Sequence, residues 1–142
     1  MLLVEDDDND IFLVRKATES GGKGHAVYAV HDWLEAIDYL KGAGSFADRN
    51  KFPVPNVVLT DLKMPKMNGF EFLEWLRANS HFSVIPIIVY SSSRIDVDVR
   101  RAYQLGANSY IAKPTNLAAM VDILGTIYSY WSHCECPPLQ LT

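Results

Sequence analysis

The sequence predicts an α/β fold in which a doubly wound, five-stranded parallel sheet carries helices on both faces. Three observations lead there. Five short β-like runs alternate with segments of helical periodicity, and those runs are apolar on both faces instead of alternating with polar residues. The chain, at 142 residues with 49% hydrophobic and 21% charged residues, has the size and composition of one globular domain with one core.

The elements follow in order. "LLV" is the first strand, and a helix is expected near Asn9 to Ser20. "AVYAV" is the second, before a helix near Asp32 to Lys41 that turns Ala36, Ile37 and Leu40 inward. "NVVLT" precedes a helix near Gly69 to Asn79 with Phe72, Leu73 and Leu76 on its apolar face, and "PIIVYS" precedes one near Arg94 to Leu105. "SYIA" is the last strand. After it Leu117, Met120, Val121, Leu124, Ile127, Tyr128 and Trp131 recur at intervals of three and four, which marks a long amphipathic helix. "GAGSFADRNKFPVP", rich in Gly and Pro, reads as an exposed loop leading into the third strand. The domain is expected over residues 1–132, with 133–142 as a tail; Cys134 and Cys136 with His133 are too few for a convincing zinc site.

Composition excludes several functions. A formal net charge of −4, with thirteen Lys and Arg scattered along the chain, argues against a nucleic-acid patch. No apolar run approaches a membrane span, and "MLLVEDDDND" turns acidic too soon for a signal peptide, so a cytoplasmic protein is expected.

In open parallel sheets ligands bind outside the carboxyl ends of the strands, near a topological switch point. Glu5 and Asp6 end the first strand and Asp61 ends the third, so three carboxylates distant in sequence are expected in one small pocket. Gathered carboxylates raise one another's pKa unless a cation compensates, and a hard, oxygen-lined site suits Mg²⁺. Ser91 at the end of the fourth strand and Lys113 at the end of the fifth add a hydroxyl and an ammonium to the same rim. A carboxylate beside a metal, with a lysine and a hydroxyl to hold oxygens, suits phosphoryl transfer, which depends on positioning and charge compensation.

Taken together and in order, "LLVEDD", "VVLTDLKMPKMNGFEFL", "PIIVYSSS" and "GANSYIAKP" resemble the receiver domains of two-component response regulators, which have the flavodoxin-like fold. The loop before the third strand and a terminal helix ending "IYSYWSHCECPPLQ" are similar, more specifically, to single-domain regulators paired with bacterial phytochrome-type histidine kinases. One departure is a first strand that begins almost at Met1, with fewer preceding residues than is usual. The resemblance implies that Asp61 is the phosphoacceptor. It implies that Glu5, Asp6, Asp61 and the backbone carbonyl of Lys63 hold Mg²⁺, and that Ser91, Ser92, Lys113 and Tyr110 bind the phosphoryl group or switch with it. The Lys113–Pro114 bond is expected to be cis.

On this reading Asp61 attacks the phosphorus of a phosphohistidine on a partner kinase, Lys113 and Ser91 take up phosphoryl oxygens, and Tyr110 turns inward. The fourth helix, fifth strand and fifth helix would present the change, and the signal would leave by protein contact. A homodimer through that face is expected from Ile95, Val97, Val99, Tyr103, Ile123 and Tyr130, with Trp33 and Leu34 as a competing patch for the kinase. Lys63 and Ser93 would flank the path of attacking water. The other acids of the first helix, Asp7, Asp8 and Asp10, read as a solvated helix start, with Asp8 or Asn9 as cap. Met64 and Met67 read as loop packing, and His25, His31, His81 and His133 show no catalytic spacing.

Two rival functions remain. A haloacid-dehalogenase-like phosphatase wants a second acid two positions after the nucleophile, where this chain has Lys63, so no enzyme is expected. The alternative is a pseudo-receiver, a phosphorylation-independent interaction module, which usually lacks one of the acids, the hydroxyl or the lysine.

Overall fold

The computed structural model describes residues 1–20, 26–64 and 68–137. Five strands, β1 (Leu2–Val4), β2 (Tyr28–Val30), β3 (Val58–Thr60), β4 (Ile87–Ser91) and β5 (Ser109–Ala112), form one parallel sheet in the order β2-β1-β3-β4-β5. Helices α1 (Asp8–Ser20), α2 (Trp33–Lys41), α3 (Gly69–Ala78), α4 (Asp96–Gln104) and α5 (Leu117–Ser132) alternate with them. The strand order reverses after β2, so β1 and β3 flank the switch point.

Alternation along each strand divides the core into two layers. Leu2, Val4, Val58, Ile87 and Val89 face α2, α3 and α4, where they meet Trp33, Ala36, Tyr39, Leu40, Phe72, Leu73, Leu76 and Ala102. Leu3, Leu59, Ile88 and Tyr90 point the other way, onto Ile11, Val14 and Ala17 of α1 and Met120, Leu124 and Ile127 of α5. Burial on both faces of β1, β3 and β4 explains why they read as apolar runs, whereas β5 at the sheet edge is half-buried throughout. Polar side chains set the starts of α2, α3 and α5: Asp32, Asn68 and Asn116 accept from the backbone N–H of Glu35, Phe70 and Ala119.

Several expectations need correction. Trp33 is fully buried, so it forms no surface patch with Leu34, which is exposed. Its indole N–H donates to Thr60 Oγ1 at 3.0 Å, which gives a polar anchor to a ring opening a helix. In α5, Leu117 is exposed although the periodicity turned it inward, while Ile123 is half-buried against the α1–α5 layer. The stretch before β3 is organised: a 3₁₀ turn (Gly44–Phe46) delivers Phe46 and Phe52 onto Tyr39 at ring separations of 5.2 and 6.0 Å. Arg49 donates to the carbonyls of Tyr39, Leu40 and Phe52 and ties that loop to the end of α2. His25 and Met67 lie outside the described residues. None of the helices among the described residues is long and apolar enough to cross a membrane.

Candidate functional site

The parallel register aligns Val4 with Thr60, Thr60 with Val89, and Ser91 with Ala112, so the residues that leave β1, β3, β4 and β5 emerge at one rim. Glu5 and Asp61 are buried there and Asp6 is exposed. Lys113 follows β5 and extends Nζ to Glu5 Oε2 at 3.0 Å, Asp61 Oδ2 at 2.8 Å and Asp10 Oδ2 at 2.9 Å. Glu5, Asp61 and Lys113 are thus brought together as expected. Asp6 is not among the lysine's partners.

Asp61 is fixed from both sides. Its Oδ1 accepts from the backbone N–H of Leu62 at 2.6 Å and of Lys63 at 3.3 Å, while its Oδ2 faces Lys113. Thr60 Oγ1 donates to the Asp61 carbonyl at 2.9 Å and accepts from Trp33, so a buried chain of hydrogen bonds runs from the α2 core to the peptide of Asp61.

Burial pushes the Glu5 carboxyl up to about 7; the ammonium of Lys113 opposes that shift and the neighbouring charge of Asp61 adds to it. Burial acts to lower the pKa of Lys113, but hydrogen bonds to Asp61 and Asp10 and the charges of Asp61 and Glu5 outweigh it and hold the pKa above the usual lysine value. With all three ionised, the carboxylates around one ammonium would carry a formal charge of two negatives in a largely enclosed setting, which burial and the charge of Asp61 oppose by favouring the proton on Glu5. That surplus, carried by hard oxygen donors, suits a divalent cation. Among the described residues no cluster of three His, Cys, Asp or Glu side chains is arranged to hold a metal as it stands, because the carboxylates are gathered on the lysine.

The switch residues form a second network. Ser91 Oγ accepts from the Ser93 N–H at 3.2 Å, and Ser93 Oγ donates to Asp98 Oδ2 at 2.8 Å in the first turn of α4. Tyr110 donates its hydroxyl to the Ser93 carbonyl at 2.8 Å, and its N–H donates to Tyr103 Oη at 3.2 Å. Tyr110 therefore rests against the β4–α4 loop, and Ser93 ties it to Ser91 and α4. Ser92 is exposed beside them. The Lys113–Pro114 bond is not cis, since no cis peptide occurs among the described residues. The trans form of an X–Pro bond is the lower in energy by about 0.5–1 kcal/mol, and Lys113 reaches all three carboxylates with it.

The acids of the first helix also separate. Asp7 Oδ1 accepts from the N–H groups of Asn9 and Asp10 and is the cap, in place of Asp8 or Asn9. Asp8 pairs with His31 in solvent at 3.2 Å. Asp10, read from the sequence as solvated, is a partner of Lys113. The signal was helical phase: Asp10 precedes Val14 by four residues and Ala17 by seven, and both are buried on the face that meets the sheet.

The chain matches the response regulator receiver domain family over residues 1–125. It is 32% identical over 131 residues to response regulator Rcp1 of Synechocystis, covering 92% of this chain and 87% of that one. A structure of Rcp1 in its Mn²⁺-bound form superposes with a TM-score of 0.82 at 31% identity, covering 96% and 97% of the two chains. The phosphorylated cyanobacterial phytochrome response regulator RcpA superposes with a TM-score of 0.86 at 33% identity over 96% of each chain. The bacteriophytochrome response regulator RtBRR does so with a TM-score of 0.74 at 37% identity over 96% of this chain and 82% of its own. With a buried aspartate closing β3, a lysine from β5 upon it, and a family match across most of its length, this chain belongs to the response regulator receiver domains.

Proposed function

We propose that the protein is a cytoplasmic phosphoacceptor switch that takes a phosphoryl group from a histidine kinase onto Asp61. The observation that carries this is the Asp61 carboxylate itself: it is buried at the end of β3, with Oδ1 oriented by two backbone N–H groups and Oδ2 by Lys113. A carboxylate oxygen attacks phosphorus, the P–N bond to the kinase imidazole breaks, and its electron pair leaves with the ring nitrogen, which takes a proton. Lys113 and Ser91 then receive phosphoryl oxygens. Glu5, Asp6, Asp61 and the Lys63 carbonyl would hold Mg²⁺, which supplies the charge compensation that the donor set lacks. The phosphorylated state of RcpA and the bound cation of Rcp1 support both parts of the reading. The same relatives favour a phytochrome-type kinase as partner.

The signal leaves through α4, β5 and α5 as a homodimer. Ile95, Val97, Tyr103, Leu117 and Tyr130 are exposed large apolar or aromatic side chains on these elements or at their starts, and they supply the patch that such an interface needs. Ile123 and Val99 are half-buried and add less exposed surface to it.

Incubation with Mg²⁺ and acetyl phosphate, followed by intact-mass measurement, tests the assignment. The chain should gain one phosphoryl group and Asp61→Asn none. Phosphorylation of Asp61→Asn at another residue, or no gain in the parent chain, would return the protein to the pseudo-receiver reading.

A further inference from the structure

A lysine ammonium has three N–H donors and no more. In this site each is committed: to Glu5 Oε2 at 3.0 Å, to Asp10 Oδ2 at 2.9 Å and to Asp61 Oδ2 at 2.8 Å. The proposed reaction redraws two of the three. An oxygen of Asp61 would become bonded to phosphorus, and Glu5 would be among the residues that hold Mg²⁺. Asp10 takes part in neither event. It stands in the first turn of α1, its N–H held by the capping Asp7 at 3.3 Å, so its position is set by the helix and not by the contents of the pocket.

We propose that Asp10 is a positioning residue, the standing counter-ion that keeps Lys113 aimed at the phosphoryl oxygens after Glu5 and the Asp61 carboxylate have been drawn away. This rests on Asp61 being the phosphoacceptor. Among the described residues Lys113 has no further hydrogen-bond partner for its ammonium. Its side chain is only 13% exposed, and on one side it meets the ring of Tyr90, 5.8 Å from Nζ to the centroid. The buried Tyr90 hydroxyl has no hydrogen-bond partner among the described residues, so it does not hold the ammonium. Without Asp10 the lysine would meet the phosphoryl group from many orientations, and fixing one of them would be charged against binding. Among the described residues the side-chain hydrogen bond of Asp10 at this site is to Lys113, so its effect is expected to pass through that lysine.

The test is calorimetric titration of the Mg²⁺-loaded full chain with beryllofluoride, which mimics the phosphoryl group on the acceptor aspartate. Asp10→Asn should weaken beryllofluoride about tenfold, the scale of one charge-assisted hydrogen bond. Asp10→Glu, which keeps the carboxylate, should recover to within about threefold. In a Lys113→Ala background Asp10→Asn should change the affinity by less than about twofold, since the double-mutant cycle isolates the coupling between the two. An affinity unchanged in Asp10→Asn, or an equal loss with and without Lys113, would overturn the proposal. Should Asp10→Asn fail to fold, Asp10→Ser carries the same comparison. If the parent chain gains a phosphoryl group from acetyl phosphate while beryllofluoride ignores Asp10, only the role of Asp10 falls. If the parent chain gains none, the phosphoacceptor reading falls with it.

Discussion

Two glycines predict opposite outcomes for the same substitution. At Gly69, the first residue of α3, a Cβ would lie 2.7 Å from Leu62 Cα, 2.8 Å from Leu62 O and 2.9 Å from Trp33 Cζ2. Two of those neighbours are backbone and the third belongs to a fully buried ring, so none can move cheaply. Overpacking of this kind costs about 1–3 kcal/mol. Replacing Gly by Ala in a helix returns about 0.5–1 kcal/mol through the unfolded chain, so the net loss for Gly69→Ala is about 1–2 kcal/mol. At about 3–4 °C per kcal/mol for a domain of this size, Tm should fall by about 3–8 °C. Gly125 lies in α5 with open space where its Cβ would be. Gly125→Ala should therefore gain about 0.5–1 kcal/mol and raise Tm by about 2–4 °C. The Gly69 clash also reaches the acceptor, because Leu62 N–H is the 2.6 Å donor to Asp61 Oδ1 and Gly69 N–H donates back to Leu62 O at 3.1 Å. Calorimetric unfolding of both variants, paired with the rate of mass gain from acetyl phosphate, reads both effects. Equal or raised stability in Gly69→Ala would refute the claim that Leu62 and Trp33 cannot yield. A stability loss with an unchanged phosphorylation rate would refute the link to Asp61.

Three further outcomes are expected. The folded protein holds a proton on Glu5 up to about pH 7 whereas the unfolded chain releases it near 4.5, so between those values the native state binds more protons and stability falls as pH rises; urea unfolding of the metal-free protein should show this component, and Glu5→Gln should remove it. Burial pushes Tyr39, Tyr90 and Tyr128 up to about 12, so their contribution is intact below pH 10 and is lost as pH climbs from 10 to 12; ultraviolet titration should show their ionisation coinciding with loss of circular dichroism. Val97→Glu, at a side chain 71% exposed, should leave monomer stability within about 0.5 kcal/mol while abolishing self-association in sedimentation with beryllofluoride; a dimer that survives it lies on another face.

The fold was legible because its signals are local and redundant. Most strands are short apolar runs, and four helices open on an Asp or Asn whose side chain caps them. Glu5, Asp61, Ser91 and Lys113 were legible for a related reason: in a parallel sheet the residue that ends a strand is carried to one rim, so chain position translates directly into spatial position. What escaped the sequence depends on how elements meet. Trp33 opens a helix, where side chains are commonly solvated, but its ring packs into the apolar layer with Val4, Leu62 and Phe72 and its N–H reaches Thr60 under the Asp61 peptide. Phe46 and Phe52 lie in a stretch whose Gly and Pro read as exposed loop, yet they close over Tyr39 with Arg49 satisfying the backbone. Periodicity turns Ile37 of α2 inward, and it packs half-buried against the layer that Trp33, Ala36 and Leu40 fill.

The acidic run after β1 shows most sharply why composition alone misassigns residues. Asp7, Asp8 and Asp10 are alike in type and nearly adjacent, and a reading by charge gives all three the same solvated role. An α-helix turns about 100° per residue, so neighbours in such a run face different surroundings. Asp7 precedes the helix and points along its axis, where the free N–H groups of Asn9 and Asp10 take its carboxylate. Asp8 faces water and His31. Two residues further, Asp10 has rotated onto the side of the sheet and meets Lys113, to which it is linked only by the fold across 103 positions. The chemistry available to each carboxylate is therefore set by its phase relative to buried Val14 and Ala17, and that phase can be counted from the sequence once the inward face is known. Moving the acid from position 10 to position 9 or 12 would keep composition and net charge and should still lose the contact with Lys113.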